Sequence, residues 1–232
     1  MTLRECFEKN GIAEYLTEEK ENTLDILCRD LLEYNKNVNL TALMELSDVY
    51  AKHIADSAML LPYIIDRKNL LDVGCGGGFP SLPVAVLSDI YVTALDSTKK
   101  KLDFIDTEKE KLALNNINTL YGRAEELCTG VLRQGFDAVT ARAVASLPVL
   151  CELCIPYVKV GGIFAAMKTD KSELKAAEPS AKKLGANLIK AVEYKLICER
   201  EEADRCIMIF EKTHSTDIKY PRRYSQIKAK PL

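Results

Sequence analysis

Apolar residues in the first quarter of the chain recur at spacings of three and four. Two clear series are Leu24, Leu27, Leu31 and Ile54, Ala58, Leu61. This periodicity predicts amphipathic helices, and we expect a helical N-terminal extension over residues 1–65. The Asn-rich run YNKNVNLTAL breaks the pattern, which indicates a loop that leads into the next helix.

After Pro62, short apolar runs alternate with longer amphipathic ones, which is the pattern of repeated βα units. Strands are predicted at residues 69–73, 91–95, 117–121, 136–141, 161–167, 188–198 and 205–211. Helices are predicted at residues 80–88, 98–115, 146–157 and 171–184. Only CEREEAD separates the last two strands, so they have no room for a helix and should form an antiparallel hairpin.

A mostly parallel, seven-stranded sheet with an antiparallel last strand is the usual arrangement of class I methyltransferases, which this pattern resembles. The predicted fold is therefore a doubly wound, Rossmann-like α/β fold preceded by a helical cap. We expect the methyltransferase domain at residues 66–216 and a basic C-terminal tail at residues 217–232.

The length and composition fit a single domain. A chain of 232 residues, 47% of them hydrophobic, is long enough for one well-packed α/β domain with a modest extension. No stretch approaches the roughly 18 consecutive apolar residues of a membrane span. The start, MTLRECFEKNG, lacks the apolar run of a signal peptide. We therefore expect a soluble, cytoplasmic protein with no membrane partner.

Several of the eight cysteines fall in apolar runs, where buried thiols act as small hydrophobic residues. Cys151 and Cys154 form a CxxC motif in VLCELCIPYV, which is predicted to be helical, so both thiols should lie on one buried face. No second CxxC and no nearby His completes a zinc set. We therefore expect no metal site.

Charge is distributed unevenly along the chain. The segment from Asp217 to Leu232 carries five cations and one acid, a net +4, which leaves −6 on the first 216 residues of a chain with net charge −2. Such a tail, with Arg222, Arg223 and two tyrosines, is suited to holding phosphates and stacking bases. A tail that simply packs by its Tyr and Pro residues is an equally open alternative.

A glycine-rich turn follows the first predicted strand. The strand at 69–73 runs directly into Gly74-Cys75-Gly76-Gly77-Gly78-Phe79-Pro80, and a helix comes next. Glycines at a strand-to-helix turn let the backbone curl tightly and approach a ligand, which then meets the N–H groups of the helix. Gly74, Gly76 and Gly78 are therefore candidate cofactor-binding residues, with a purely structural turn as the alternative.

Asp96 follows the second predicted strand, 22 residues after Gly74, where a carboxylate accepts both hydroxyls of an adenosine ribose. This spacing fits a dinucleotide or S-adenosylmethionine. The turn reads GxGxG and not GxGxxG, which favours the cofactor without phosphates. A dehydrogenase would also need a proton-transfer residue, and the only Tyr-xxx-Lys pair, Tyr224 with Lys228, lies in the last nine residues.

Two further candidates follow the third and fourth strands. Backbone groups of Ala124 and Glu125 in GRAEEL should lie near an adenine ring, although an ordinary helix start explains these residues as well. Arg142 comes at the end of the fourth strand, where open α/β sheets place their reactive groups. Its guanidinium suits an RNA phosphate or a guanine edge, and an ion pair with an acid is the alternative.

The absence of two motifs bears on the reaction. Methyltransferases of exocyclic amines typically carry an Asn/Asp-Pro-Pro-aromatic run after the fourth strand, where this chain reads TARAVASLPVL. Cytosine-C5 enzymes need a nucleophilic Cys, usually beside a Pro, and no Pro-Cys pair occurs here. Guanine N7 owns a free lone pair and needs neither device. Positioning, in which Arg142 is the candidate, would then suffice without a catalytic base.

Together these segments closely resemble the small-subunit (16S) ribosomal RNA guanine-N7 methyltransferase family, also called glucose-inhibited division protein B. The resemblance covers most of the chain and depends on the order and spacing of YNKNVNLTAL, KHIADS, DVGCGGGFPSLPVA, ALDSTKKKLDFI, GRAEEL, FDAVTARAVASLPVL, GGIFAAMK and YPRRYSQIKAKPL. It implies a bacterial, cytoplasmic enzyme that uses S-adenosylmethionine to methylate a guanine near the decoding site, with 16S ribosomal RNA or the small ribosomal subunit as its partner.

The resemblance also implies which residues contact or border the cofactor: Gly74, Phe79, Ala124, Glu125 and Arg142. Asp96 takes the ribose role. The chain departs from the family at Ser81, where many members carry Gly, and in the tail, which lacks the Gly-Thr-Pro that often follows YPR.

Four residues are candidates for contact with RNA: His53, Lys168, Arg222 and Arg223. His53 and Asp56 are three apart on one predicted helix face and are expected to project toward the substrate. A helical His bonded to a neighbouring acid or carbonyl is at least as common. Lys168 ends the fifth strand, where a solvated lysine is the usual alternative.

Two other functional classes remain open at this level. One is a methyltransferase of a small molecule or protein, whose activity would survive deletion of residues 217–232 because such a substrate needs no basic tail. The other is a non-catalytic factor that binds nucleotide or RNA, for which failure to bind S-adenosylmethionine would be the evidence.

Overall fold

A seven-stranded sheet forms the centre of the computed structural model, which describes residues 1–232. Its strands are β1 (Asn69–Val73), β2 (Tyr91–Asp96), β3 (Ile117–Tyr121), β4 (Phe136–Arg142), β5 (Val158–Lys168), β6 (Ala186–Ile197) and β7 (Glu202–Lys212). The order is β3-β2-β1-β4-β5-β7-β6. β1 to β5 are parallel, and β7 runs antiparallel between β5 and β6. The predicted doubly wound sheet with its final antiparallel hairpin is confirmed.

The helices precede and connect these strands. They are α1 (Leu3–Lys9), α2 (Glu18–Asn35), α3 (Leu46–Val49), α4 (Asp56–Ala58), α5 (Leu61–Ile64), α6 (Ser81–Leu87), α7 (Lys99–Lys111), α8 (Ala124–Leu127), α9 (Leu147–Cys154), α10 (Leu174–Lys183) and α11 (Tyr224–Ala229). A π-helical segment, Tyr50–Ala55, joins α3 to α4. Short 3₁₀ turns lie at Ala13–Tyr15, Gly130–Leu132 and Ile155–Tyr157.

Several boundaries differ from the prediction. The helix predicted over 98–115 ends at Lys111, because Ala113 adopts a left-handed φ of 52° that no α-helix continues. The helix predicted from residue 171 begins at Leu174. β5, β6 and β7 all begin earlier than predicted, because their first residues form no continuous apolar run.

Alternate residues of the sheet face two separate hydrophobic cores. Leu70 belongs to a core of 41 buried residues with the N-terminal helices, α6 and α7, whereas its neighbour Leu71 belongs to a core of 28 with α9, α10 and the C-terminal tail. This division follows from the period of two along a strand. The sheet is therefore covered by helices on both faces, as its near-continuous apolar strands require.

The N-terminal helices complete one of these cores. Leu24, Leu27 and Leu31 on α2 are fully buried, and Ile54 and Leu61 follow them into the same core. The loop predicted at YNKNVNLTAL lies between α2 and α3, as expected. Division of the chain into segments 1–65, 66–216 and 217–232 stays a prediction, since shared packing does not define separate folding units.

We predict that Leu27→Ala lowers the free energy of unfolding by about 2–5 kcal/mol, because Leu27 is fully buried and the truncation leaves a cavity. The matched control is Ile26→Ala on the same helix, where the side chain is 42% exposed and a loss of roughly 0.5 kcal/mol is expected. Urea unfolding followed by circular dichroism measures both. Equal, small losses would show that α2 does not unfold together with the sheet.

Candidate active site

Two adjoining clefts open at the carboxyl edge of the parallel strands. The larger, about 600 Å³, contains Arg142 and is called the Arg142 cleft; the smaller, about 320 Å³, contains Asp96 and is called the Asp96 cleft. Both are lined by Gly74, Lys101 and Ala143, so they form one continuous depression. They lie beside β1 and β4, where the strand order reverses and open α/β sheets bind their ligands.

The glycine turn separates the two clefts. Gly74 has φ +73°, and a Cβ there would meet Val144 at 2.6 Å, so both conformation and space require glycine. Gly76 has φ +57° and would place a Cβ in open space at the Arg142 cleft, so its backbone is free to approach a ligand. Gly78 lines neither cleft, because its α-carbon packs against Leu82 and Ile105.

Asp72 lies beneath this turn. It is fully buried, it accepts a 2.6 Å hydrogen bond from the hydroxyl of Ser81, and its Oδ1 has no partner. Burial raises the pKa of the carboxyl to about 6. Ser81, where many members of the resembled family carry glycine, therefore supplies the one hydrogen bond that this carboxylate has.

Asp96 presents its carboxylate to the Asp96 cleft and is 8% exposed. One oxygen accepts the N–H of Gly76 at 3.0 Å and the other accepts the N–H of Thr98 at 2.8 Å. Each carboxylate oxygen accepts more than one hydrogen bond. The group is thus fixed by the backbone and still able to accept two hydroxyls.

Ala124 and Glu125 line the far side of the Asp96 cleft, as the sequence predicts. They lie in the first turn of α8, and the buried hydroxyl of Tyr157 donates to the carbonyl of Ala124 at 2.5 Å. That bond fixes the backbone beside the cleft. Leu95, Val144 and Leu153 add apolar surface, so the cleft combines a carboxylate with an apolar wall.

Arg142 is the last residue of β4 and is held by three acceptors. Its Nη1 donates to the carbonyl of Lys52 at 2.9 Å and to the carboxylate of Asp56 at 3.1 Å. Its Nη2 lies 3.2 Å from Nδ1 of His53. Because the guanidinium has five N–H donors, two remain for a ligand in the Arg142 cleft.

His53 is a neutral ring in this arrangement. Burial, with Arg142 nearby, lowers the pKa of the imidazole to about 3. Nδ1 lies 3.2 Å from both Nη2 of Arg142 and the carbonyl oxygen of Lys52, and Nε2 lies 2.8 Å from the hydroxyl of Thr41, so both ring nitrogens are engaged. The ring also stacks on Phe79, with 4.4 Å between centroids. Both residues line the cleft, and each ring covers one face of the other.

The buried carboxylate of Asp56 brings together Arg142, Tyr194 and Arg205, which come from three different strands. It is 3% exposed, accepts hydrogen bonds from Arg142 and from the hydroxyl of Tyr194 at 3.0 Å, and forms an ion pair with Nε of Arg205 at 3.3 Å. Tyr194 and Arg205 face each other across the hairpin of β6 and β7. Neither residue is predictable from the sequence pattern, because both lie in strands that show no motif and about 140 residues from Asp56.

Cations outnumber acids in the lining of the Arg142 cleft, although most of them are ion-paired, with Lys52 held by Asp48 and Glu201 at 3.1 and 2.8 Å. The lining holds one carboxylate, Asp56, and five cations: Lys52, Lys101, Arg142, Lys168 and Arg205. Lys168 pairs with Glu173 at 2.8 Å and donates to the carbonyl of Ala145. The side chain of Lys101 has no ion-pair partner. A protein of net charge −2 therefore presents positive charge where its sheet opens.

The remaining predicted site residues lie outside both clefts. Arg222 is paired with Glu152 through Nε and Nη2, and Arg223 is exposed at the start of α11. Their contact with RNA stays a prediction.

All eight cysteines are buried free thiols, including Cys151 and Cys154. No group of three His, Cys, Asp or Glu side chains is arranged to hold a metal ion, and no helix has the length and apolar character of a membrane span.

Solved structures agree with the fold. M. jannaschii TYW2 in complex with AdoMet aligns at a TM-score of 0.55 and 16% identity, over 69% of this chain and 76% of that one. The cyclase SpnF aligns at a TM-score of 0.56 and 14% identity, over 69% of this chain and 82% of that one. At this level of identity the likeness shows the fold alone, and one fold here hosts different chemistry.

Proteins with similar sequences identify the family of this chain. A protein of Bacillus velezensis named ribosomal RNA small subunit methyltransferase G is 41% identical, over 90% of this chain and 89% of its own length. Proteins of the same name from Ligilactobacillus salivarius and Staphylococcus aureus are 40% and 36% identical, over 90% and 94% of this chain and 89% and 92% of their own lengths. A family model described as rRNA small subunit methyltransferase G matches residues 20–202. The chain therefore belongs to the rRNA small subunit methyltransferase G family.

Proposed function

We propose that this protein transfers a methyl group from S-adenosylmethionine to N7 of a guanine near the decoding site of 16S ribosomal RNA. Its partner is the RNA or the small ribosomal subunit, which places the reaction in the bacterial cytoplasm. The observation that supports this most directly is the junction of the two clefts. A carboxylate-bearing cleft of nucleoside size opens into a cationic cleft within a member of an rRNA methyltransferase family.

The Asp96 cleft fits the adenosine half of the cofactor. Asp96 has acceptor capacity left for two ribose hydroxyls, and Ala124 and Glu125 border a space walled by apolar side chains. Gly76 leaves open the space that a Cβ would fill next to the Arg142 cleft. The bound cofactor supplies a methyl group on a sulfonium, whose positive charge passes to the accepting ring.

The Arg142 cleft fits a polyanionic substrate. Its cations attract phosphate, and the aromatic pair of His53 and Phe79 suits a base that is flipped out of its helix. The two free donors of Arg142 suit the O6 edge of a guanine. Arg142 would then position the ring, and Asp56 would hold Arg142.

The chemistry of the cleft favours an acceptor with its own lone pair. His53 is neutral with both ring nitrogens engaged, so it is poorly suited to remove a proton. Cys75 is the only cysteine in the lining, and burial raises the pKa of its thiol well above the usual value, so it is not a ready nucleophile. Guanine N7 needs neither a base nor a nucleophile. Catalysis by orientation is what these residues offer.

The proposed function predicts that wild-type protein, with methyl-labelled S-adenosylmethionine and small subunits from a strain lacking the gene, produces 7-methylguanosine at one position of 16S RNA. Asp96→Ala should weaken cofactor binding at least about 10-fold, because a charged acceptor of two hydroxyls is lost. The control is Asp89→Ala, an exposed acid outside both clefts. Mass spectrometry maps the label. Intact cofactor binding without label in any RNA would exclude the RNA substrate.

Arg142→Lys should lower the rate of methyl transfer about 100-fold, because an ammonium cannot hold Asp56, Lys52 and His53 together in the planar fork that orients the ring. Single-turnover rates at saturating RNA measure this loss. Arg200→Lys in the exposed hairpin turn is the matched control and should leave the rate unchanged. A rate within twofold of wild type for Arg142→Lys would remove Arg142 from the mechanism.

The buried neutral His53 predicts a pH dependence of stability. Between its usual value of 6.5 and its folded pKa of about 3, the unfolded chain binds a proton that the folded chain does not, so stability falls as pH drops. Asp72 acts in the opposite direction, since the folded state binds its proton between pH 3.8 and about 6. Comparing wild type with His53→Gln cancels the contribution of Asp72.

From pH 7.5 to pH 5, wild type should lose about 1–2 kcal/mol more unfolding free energy than His53→Gln. Urea titrations at both pH values measure this difference. Parallel losses in the two proteins would mean that His53 titrates normally in the folded state.

A further inference from the structure

The basic C-terminal tail is docked on the methyltransferase domain. The guanidinium of Arg133 donates to the carbonyls of Thr216, Asp217 and Tyr220 at 2.9, 3.1 and 2.6 Å. Tyr220 is 5% exposed, and Ile227 on α11 is fully buried in the core that contains α9 and α10. The tail therefore packs by its apolar residues, which is one of the two alternatives that the sequence leaves open.

An ion pair fixes the tail at its centre. Glu152 on α9 is fully buried, and its carboxylate accepts from Arg222 through the backbone N–H at 2.9 Å, Nε at 2.8 Å and Nη2 at 2.6 Å. No other residue donates to it. A buried carboxylate without a partner is strongly unfavourable, so Glu152 holds Arg222 firmly in place.

This anchor places Tyr224 at the Asp96 cleft. Tyr224 lies two residues after Arg222, lines the cleft together with Asp96 and Ala124, and remains 37% exposed. It is the only aromatic residue in that lining. Leu153, the neighbour of Glu152, lines the same cleft. Closely spaced residues of α9 and of the tail therefore form both the ion pair and one wall of the cleft.

We propose that Tyr224 is a cofactor-binding residue, which supplies the aromatic face against which the adenosine part of S-adenosylmethionine packs. Arg222 and Glu152 are positioning residues for it. The inference rests on the proposed function for the identity of the ligand. It assigns the tail to the cofactor site. A planar base gains affinity from an aromatic face, and Asp96 and Ala124 supply only polar and small groups.

Deletion of residues 217–232 does not test RNA binding by itself. That deletion also removes Tyr224 and leaves Glu152 buried without its partner. Loss of activity would then follow for any methyl acceptor. Point variants are therefore needed to separate the contributions of the tail.

The test is calorimetric titration of the full chain with S-adenosylhomocysteine. Tyr224→Ala should raise the dissociation constant about 10-fold, as expected when a base loses an aromatic face, and Tyr224→Phe should stay within twofold. Ser225→Ala, an exposed neighbour on the same helix, is the matched control and should equal wild type. 5′-Methylthioadenosine, which lacks the amino-acid end, should show the same ratio between Tyr224→Ala and wild type.

Arg222→Gln addresses the positioning role and should weaken binding together with a lower melting temperature. If that variant does not fold, Tyr224→Ala still decides the proposal, since its side chain is partly exposed and outside the cores. If the wild type binds S-adenosylhomocysteine and Tyr224→Ala binds it with the same dissociation constant, the role of Tyr224 is excluded and the proposed function still stands. Failure of the wild type to bind S-adenosylhomocysteine would overturn the proposed function, and the inference with it.

Discussion

A carboxylate removed from water has to be paired, and in this fold the pairing of Asp56 organises the substrate side of the molecule. Its three partners, two hydrogen-bond donors and one ion-pair partner, come from the end of β4 and from both strands of the antiparallel hairpin. Arg142, once held, fixes the ring of His53, which rests on Phe79 beside the glycine turn. The N-terminal helices, the sheet edge and the hairpin are therefore held in register by one buried charge, and the Arg142 cleft owes its shape to that charge.

The two clefts differ in the charges that line them. The Asp96 cleft carries a carboxylate and apolar walls, which suit a nucleoside, and the Arg142 cleft gathers cations, which suit phosphates. Because the chain as a whole is weakly acidic, its attraction for RNA depends on local groups of cations such as this one. Lys101 and Gly74 border both clefts, so a methyl group leaving a cofactor in the Asp96 cleft would travel only a short distance to an acceptor in the Arg142 cleft. A methyl transfer that relies on orientation needs little more than this proximity.

Much of this architecture is legible in the sequence, and what is not has a physical reason. Apolar runs and their alternation predict seven strands and their order of connection, and CEREEAD is too short for anything except a hairpin. Gly74, Asp96, Ala124 and Arg142 are predictable because they follow strand ends, which parallel sheets bring to one edge. Tyr194 and Arg205 are not, since a contact across about 140 residues leaves no local pattern. Gly78 shows the converse: the motif includes it, but its space is occupied by Leu82 and Ile105.

The tail shows why charge counted along a chain differs from charge available to a partner. Its five cations suggest an RNA-binding arm, yet Arg222 is consumed by Glu152 and Lys219 by Asp217 at 2.7 Å. Only Arg223, Lys228 and Lys230 remain without an acidic partner. A cation that is already ion-paired contributes less to counterion release on RNA than a free one, so the field of the tail is weaker than its net +4 implies. Tyr220 and Ile227 fix it to the domain instead, and a segment whose sequence suggests an electrostatic arm becomes a packed element of the fold.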